Sequence, residues 1–298
     1  MTSVHKSVLL KETIDGLNLV NGATVIDATF GGGGHSLEIC KKYKNIKIIG
    51  FDQDKSALER AKNKFTDIDS EIILINKNFS ELKKSLNQIN VKEVDGIIFD
   101  LGLSSDQLEN SGRGFSFAKD EPLLMTMKEN PKESDLTAED IVNTWEEKNL
   151  ADIIYGYGEE RFSRRIAKAI VEARKKDKIK TTFELVEIIR NSVPGVYRNG
   201  RLHFATKTFQ AIRIAVNDEL GVLQSGLEDA LDILKKKGRI SVISFHSLED
   251  RIVKKFFKLK QKEEKIKLIN KKPITASNEE LSLNNRSRSA KLRIIEKI

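Results

Sequence analysis

Four consecutive glycines, Gly31 to Gly34, stand in the segment ATVIDATFGGGGHS, between a β-rich run and a helical one. Glycines at the end of a first strand let the backbone take positive φ and come close to a ligand. A phosphate-binding loop would continue Gly-Lys-Ser or Gly-Lys-Thr, whereas Gly34 is followed by His35 and Ser36, and a dinucleotide fingerprint starting at Gly31 needs glycine where Ser36 stands. An adenosine ligand held without a phosphate cradle fits better. The next strand ends IIGFDQD, which puts Asp52 about 20 residues beyond the glycines, where a carboxylate can accept from both ribose hydroxyls. A helix-capping role for Asp52 is less needed, because Asp54 already precedes KSALERAKNKF. The third unit ends NKNFSEL, so Phe79 sits where a ring can pack on adenine, or can serve as an ordinary core phenylalanine. The fourth ends IIFDLGLSSDQ and brings Asp100 to the carboxyl edge of the sheet, facing the transferable group.

These residues need a parallel sheet to hold them, and the chain reads as one. Strands are expected at residues 24–28, 47–51, 71–76 and 96–100, with helices at 36–43, 55–65 and 80–87 between them. From residue 103 to about 206 the pattern turns polar and aromatic, then mainly helical, with Phe162, Ile166, Ile170 and Ala173 at helical spacing. Helices at 209–216 and 222–236, a strand at 239–244, a long basic helix at 248–269 and a last strand at 290–295 resume the sheet pattern. The expectation is an α/β fold with a Rossmann-like sheet. Its core would comprise residues 1–105 and 207–298, and a mainly helical substrate-recognition domain would be inserted at 106–206.

The 298 residues include 52 Lys and Arg against 44 Asp and Glu, a formal charge of +8. That excess is concentrated: residues 161–213 carry 14 basic and 4 acidic side chains, and residues 251–298 carry 15 and 5. Two basic stretches on an otherwise acidic chain suggest a polyanionic partner, although any single Lys-rich helix can be a solvated face. No run reaches the ~20 apolar residues of a membrane span, and the opening MTSVHKSVLLKET does not read as a secretory leader, so a cytoplasmic location and no membrane are expected. The single cysteine, Cys40, makes an internal disulfide impossible and is too few for a cysteine-based metal site; no metal is expected. Oligomeric state stays open.

In order along the chain, HKSVLLKETIDGL, IDATFGGGGHS, FDQD, DLGLSSDQL, GRGFSF, ATKTFQAIRIAVNDEL, SFHSLEDRIVK and RSRSAKLR resemble the ribosomal RNA small subunit methyltransferase H family. The resemblance spans His5 to Arg293. It implies a methyltransferase core interrupted by a helical recognition domain. It also implies S-adenosyl-L-methionine as cofactor, 16S rRNA in the small ribosomal subunit as partner, and N4-methylation of cytosine 1402 in the decoding centre. Carried onto matching positions, it implies cofactor contacts at Gly33, Gly34, His35, Asp52, Phe79, Asp100 and Gln107. The chain departs from the family pattern at Glu121, Leu124, Thr126, Lys128, Phe204 and Asn285. All lie on the expected substrate side.

Methyl transfer from a sulfonium needs in-line approach and a positioned donor more than any added reagent. For cytosine N4, an acceptor for the amino hydrogens frees the nitrogen lone pair, and Asp100 or a backbone carbonyl of residues 101–103 can serve. Asp100 can equally hold the cofactor's amine. His246, in SFHSLED, is a second candidate for the target base or its proton, unless it merely caps the next helix. Carbon methylation through a cysteine nucleophile is disfavoured, since Cys40 lies within the helix after the glycine loop. A reacting base must leave its stack, and Phe115 and Phe117 with Arg113 can form its pocket, or anchor the insertion. Arg161, Arg164 and Arg165 are expected to track phosphates, while His5 and His203 are structural or RNA-facing. Two rivals remain: a methyltransferase of this fold acting on another RNA or a ribosomal protein, and a cofactor-binding assembly factor without turnover.

Overall fold

The structure, a computed structural model, describes residues 7–298, so His5 lies outside the described residues. The chain divides into two compact units, one running to Gly102 and resuming at Leu220, the other covering Leu103–Glu219.

In the first unit a helix, α1 (Leu10–Leu17), precedes β1 (Thr24–Asp27), α2 (Gly34–Lys42), β2 (Lys47–Phe51), α3 (Lys55–Lys62), β3 (Glu71–Ile75), α4 (Leu82–Gln88) and β4 (Val94–Asp100). The strands are apolar on both faces because both faces are covered. Alternate residues sort to opposite sides. Ile26, Ile49, Phe51, Ile97 and Phe99 join one buried cluster, and Val25, Ile48 and Ile98 join another with Ile14 of α1, Ile39 of α2 and Leu58 of α3.

The second unit contains α5 (Ser105–Glu109), α6 (Ala138–Thr144), α7 (Glu147–Gly156), α8 (Ser163–Arg174), α9 (Thr182–Ser192), α10 (Gly195–Arg198) and α11 (Thr206–Asn217). Its own core gathers Ile141, Leu150, Ile154, Ile166, Ile170, Leu185 and Ile189. Helix α11 belongs here, because Phe209 and Ile212 are buried in that cluster. The compact boundary therefore falls at Leu220, not at residue 207 as the pattern suggested.

The first unit resumes with α12 (Glu219–Ile233), β5 (Leu234–Ser244), α13 (Ser247–Lys262), β6 (Ile266–Leu268), α14 (Asn278–Leu283) and β7 (Lys291–Lys297). The sheet order is β3-β2-β1-β4-β5-β7-β6, with β1 to β5 parallel and β7 antiparallel to both its neighbours. This is the Rossmann-like sheet expected. The chain leaves β1 for β2 on one side and returns to β4 on the other, so a crevice opens at the carboxyl ends of β1 and β4. One expectation is corrected. The long helix at 248–269 ends at Lys262, Glu264 turns at φ 55°, and Ile266–Leu268 pairs with β7, because the alternation of buried Ile266 and exposed Lys267 suits a strand. No helix among the described residues is long and apolar enough to cross a membrane.

Candidate active site

The glycine loop follows β1 and opens α2. Gly31 and Gly33 have φ of 48° and 71°, and Gly33 is the N-cap of α2. A Cβ on Gly33 would lie 2.9 Å from the Phe65 ring, so both its conformation and its crowding require glycine. Asp52, just past β2, ties this loop down: Oδ2 accepts from the Gly31 N–H at 2.7 Å and Oδ1 from the Asp54 N–H at 2.8 Å. Asp54 caps α3, as its position suggested, accepting from the Ala57 N–H. Asp52 thus stands beside the loop, with part of its accepting capacity already spent on the backbone.

Three acids converge at the carboxyl ends of the strands. Asp27, ending β1, is buried and accepts from Ser36 Oγ at 2.8 Å; burial pushes its carboxyl up to about 6. Asp100 ends β4. Burial first, then the charges of Asp27 and Glu249, push its carboxyl up to about 8. Its Oδ1 is buried without a hydrogen-bond partner, while 22% of the side chain still reaches solvent. Thr29 Oγ1 accepts from the Asp100 N–H at 2.7 Å and fixes the strand end.

His35 reaches the same place from α2. It is buried, its Nε2 lies 3.2 Å from the Val8 carbonyl, and its Nδ1 lies 3.7 Å from Asp100 Oδ2. A carbonyl only accepts, so Nε2 carries a proton and Nδ1 faces the carboxyl. Glu249, buried in α13, accepts from the Phe245 and His246 N–H groups through Oε2. His246 caps α13, its Nδ1 accepting from the Glu249 N–H at 3.4 Å. Its Nε2 is buried and lacks a hydrogen bond, although Glu249 Oε1 is 3.1 Å away.

Gly33, Gly34, His35, Asp52 and Asp100 are thereby brought to one edge of the sheet, and His246 follows β5, the neighbour of β4. Phe79 is placed differently. Its ring lies edge-on to Phe99 at 5.4 Å, and a Cβ on Gly226 would come within 2.6 Å of it, so most of the ring is committed to core packing. Asp27, Thr29 and Glu249 escaped sequence reading. An acid ending an otherwise apolar strand, and the glutamate three residues after His246, were the available signals.

The second unit also redirects several expectations. Gln107 completes a capping box on α5, its Oε1 accepting from the Ser104 N–H at 2.9 Å. Arg113 is buried and donates to the carbonyls of Thr126 and Met127 at 3.3 and 3.0 Å, so it is an internal tie and not the phosphate contact expected. Phe115 is buried in the core, the place of the anchoring alternative and not of a base pocket, and Phe117 is half-buried, stacked on His203 at 4.5 Å. Phe204 is likewise buried there, so this departure fills core volume. Glu121 accepts from the Gly114 N–H, another internal contact. Arg161, Arg164 and Arg165 are all exposed, and Arg161 lies over the rings of Phe162 and Tyr197 at 4.7 and 5.2 Å.

A glycine loop after β1, acids ending β1, β2 and β4, and this strand order make the first unit a Rossmann-like methyltransferase core that uses S-adenosyl-L-methionine. The residues suit that group. The unpartnered Asp100 Oδ1 can accept from a cation, and the crowded glycine turn lets a ligand reach the backbone. The model of the MraW methylase family matches residues 2–298, and the chain belongs to that family. It is 47% identical to the ribosomal RNA small subunit methyltransferase H of Lactobacillus johnsonii, over 99% of each chain. It is 49% identical to the protein of that name from Clostridium botulinum (strain Kyoto / Type A2), again over 99% of each. Among solved structures it is similar to an rRNA methylase from Streptococcus thermophilus, with a TM-score of 0.47, 12% identity and 99% of both chains covered.

Proposed function

We propose that this chain transfers a methyl group from S-adenosyl-L-methionine to N4 of a cytosine, position 1402, in the decoding centre of 16S ribosomal RNA within the small subunit. The observation that carries the reading is the carboxyl of Asp100, held at the crevice with one oxygen buried and unpartnered. Support for the RNA target comes from the relatives' shared name and from the DLGLSS, GRGFSF and SFHSLEDR segments.

The donor supplies an electrophilic methyl on a sulfonium. The chain's residues orient both partners. Asp52 holds the ribose hydroxyls while keeping the loop in shape, and Gly33, Gly34 and His35 set how closely the backbone approaches. The exposed part of Phe79 borders the adenine. Asp100 accepts from the positively charged donor and is ionised by that contact; the resulting carboxylate can turn the cytosine amine so that its lone pair faces the methyl. His246, whose Nδ1 accepts from the Glu249 N–H and whose Nε2 therefore carries the ring proton, is the second group placed to contact the target base. Gln107 acts through the start of α5, and Phe117 with the exposed arginines serves the RNA.

The test is incubation with labelled S-adenosylmethionine and small ribosomal subunits or extracted 16S RNA, followed by nucleoside analysis. N4-methylcytosine is expected. Its absence with every small-subunit substrate contradicts the assignment.

A further inference from the structure

The stretch VPGVYRNGRLHFATK, residues 193–207, links α9 to α11 and leaves two of its aliphatic side chains in solvent. Val196 is 90% exposed and Leu202 52%. Between them opens a cavity of about 400 Å³, lined by Val196, Tyr197, Leu202, Arg161, Arg201 and Lys207 together with Pro194 and Gly200. No carboxylate lines it. Its volume lies in the lower part of the range of about 300–1,000 Å³ typical of small-molecule sites.

The floor is rigid. The Tyr197 hydroxyl donates to Glu160 Oε2, and Glu160 is fully buried, with Oε1 accepting from the Phe162 N–H at 2.8 Å. Phe162 meets Tyr197 edge-on at 5.0 Å, and the Arg161 guanidinium rests over both rings. Lys207 Nζ donates to the Glu159 carbonyl at 2.8 Å, which holds the ammonium without neutralising it. Among the described residues neither Arg161 nor Arg201 is paired with a carboxylate. Cations held beside exposed aliphatic groups, on a fixed aromatic floor, suit a ligand with an anionic part and a flat apolar part. Nucleotides in a single strand have that chemistry, because each base offers a π-face and each linkage a phosphate.

We propose that this cavity seats one unstacked nucleotide of the substrate RNA, its base against Val196, Leu202 and Tyr197 and its phosphates on Arg161, Arg201 and Lys207. The proposal rests on the rRNA reading above. Every lining residue belongs to the second unit, and none is among those assigned to the donor.

The decisive variant is V196S/L202S in the full chain. Both side chains are exposed, so an unchanged thermal melt and S-adenosylmethionine affinity are expected. KM for deproteinised 16S RNA should rise about 5–100-fold, the range set by losing one stacked base, with kcat unchanged. R201A should lower the slope of log affinity against log salt by about 0.7, and L202M, which keeps an apolar contact, should retain wild-type KM. An unchanged KM in V196S/L202S overturns the proposal. So does a rise confined to assembled subunits, which would assign the cavity to a protein segment. If wild-type protein methylates no small-subunit RNA, the functional reading fails separately. The cavity is then judged by fluorescence anisotropy with a single-stranded RNA oligomer: weaker binding by V196S/L202S supports it, and equal binding contradicts it.

Discussion

The two units handle charge in opposite ways. In the sheet unit, like charges are collected where water is scarce: Asp27 and Asp100 share a strand edge with Glu249 nearby, and the carboxyls of both Asp27 and Asp100 are raised. In the inserted unit, Arg161, Arg164 and Arg165 lie exposed, Arg161 over aromatic rings, while the buried guanidinium of Arg113 is consumed by backbone carbonyls. A buried acidic cluster is destabilising until a cation arrives and so selects for one. Exposed cations cost little and attract any polyanion, with a strength that salt controls. The first arrangement suits a small charged donor, and the second a long RNA.

The largest effect is expected at Asp100. D100N should abolish detectable methyl transfer and weaken S-adenosylmethionine binding about 10–100-fold, the range for losing a hydrogen bond to a charged group. The same change should stabilise the free protein at pH 8. Below about pH 4 the carboxyl is neutral in folded and unfolded chains alike. From there to about pH 8 only the unfolded chain ionises, so stability falls as pH rises. Melting curves should therefore show a gain for D100N at pH 8 and none at pH 4; equal gains at both would remove the electrostatic explanation.

D52A should weaken cofactor binding by a similar or smaller factor, roughly 10-fold, since both the ribose contact and the loop ties at Gly31 and Asp54 are lost. An unchanged dissociation constant in calorimetry refutes the ribose assignment. G33A is expected to cost about 1–2 kcal/mol from positive φ alone, read as a lower melting midpoint, and to loosen cofactor binding with it.

On the other unit, R161A/R164A/R165A should reduce RNA affinity and lower the salt slope by about 2, three phosphate contacts at single-strand stoichiometry, while sparing cofactor affinity. R113K is the contrasting change. It should lower stability, because an ammonium cannot reproduce the guanidinium's reach to two carbonyls, and leave the salt slope untouched. If R113K alters the slope and the triple variant does not, the division between buried and exposed arginines is wrong.

Much of the sheet was legible because its signals are local. Apolar strands, Asp54 ahead of α3 and the glycines before α2 each announce themselves within a few residues. Boundaries that depend on distant packing were not: α11 looks like any amphipathic helix until Phe209 and Ile212 find the second unit's core. The same holds for the site. Asp52 and Asp100 stand at strand ends and could be read from spacing, whereas the partners of Asp100 come from β1, α2 and α13, far apart in sequence. Arg113 and Phe115 misled because residue type suggests a ligand contact and only burial shows otherwise.

The most direct test of the acidic crevice is proton release when S-adenosylmethionine binds, measured calorimetrically at pH 7 in buffers of different ionisation enthalpy. With its carboxyl raised to about 8, Asp100 is largely protonated at that pH and must ionise to meet a cation. Wild-type protein should release close to one proton, and D100N should release none. Binding without proton release in wild-type protein would contradict the role given to Asp100.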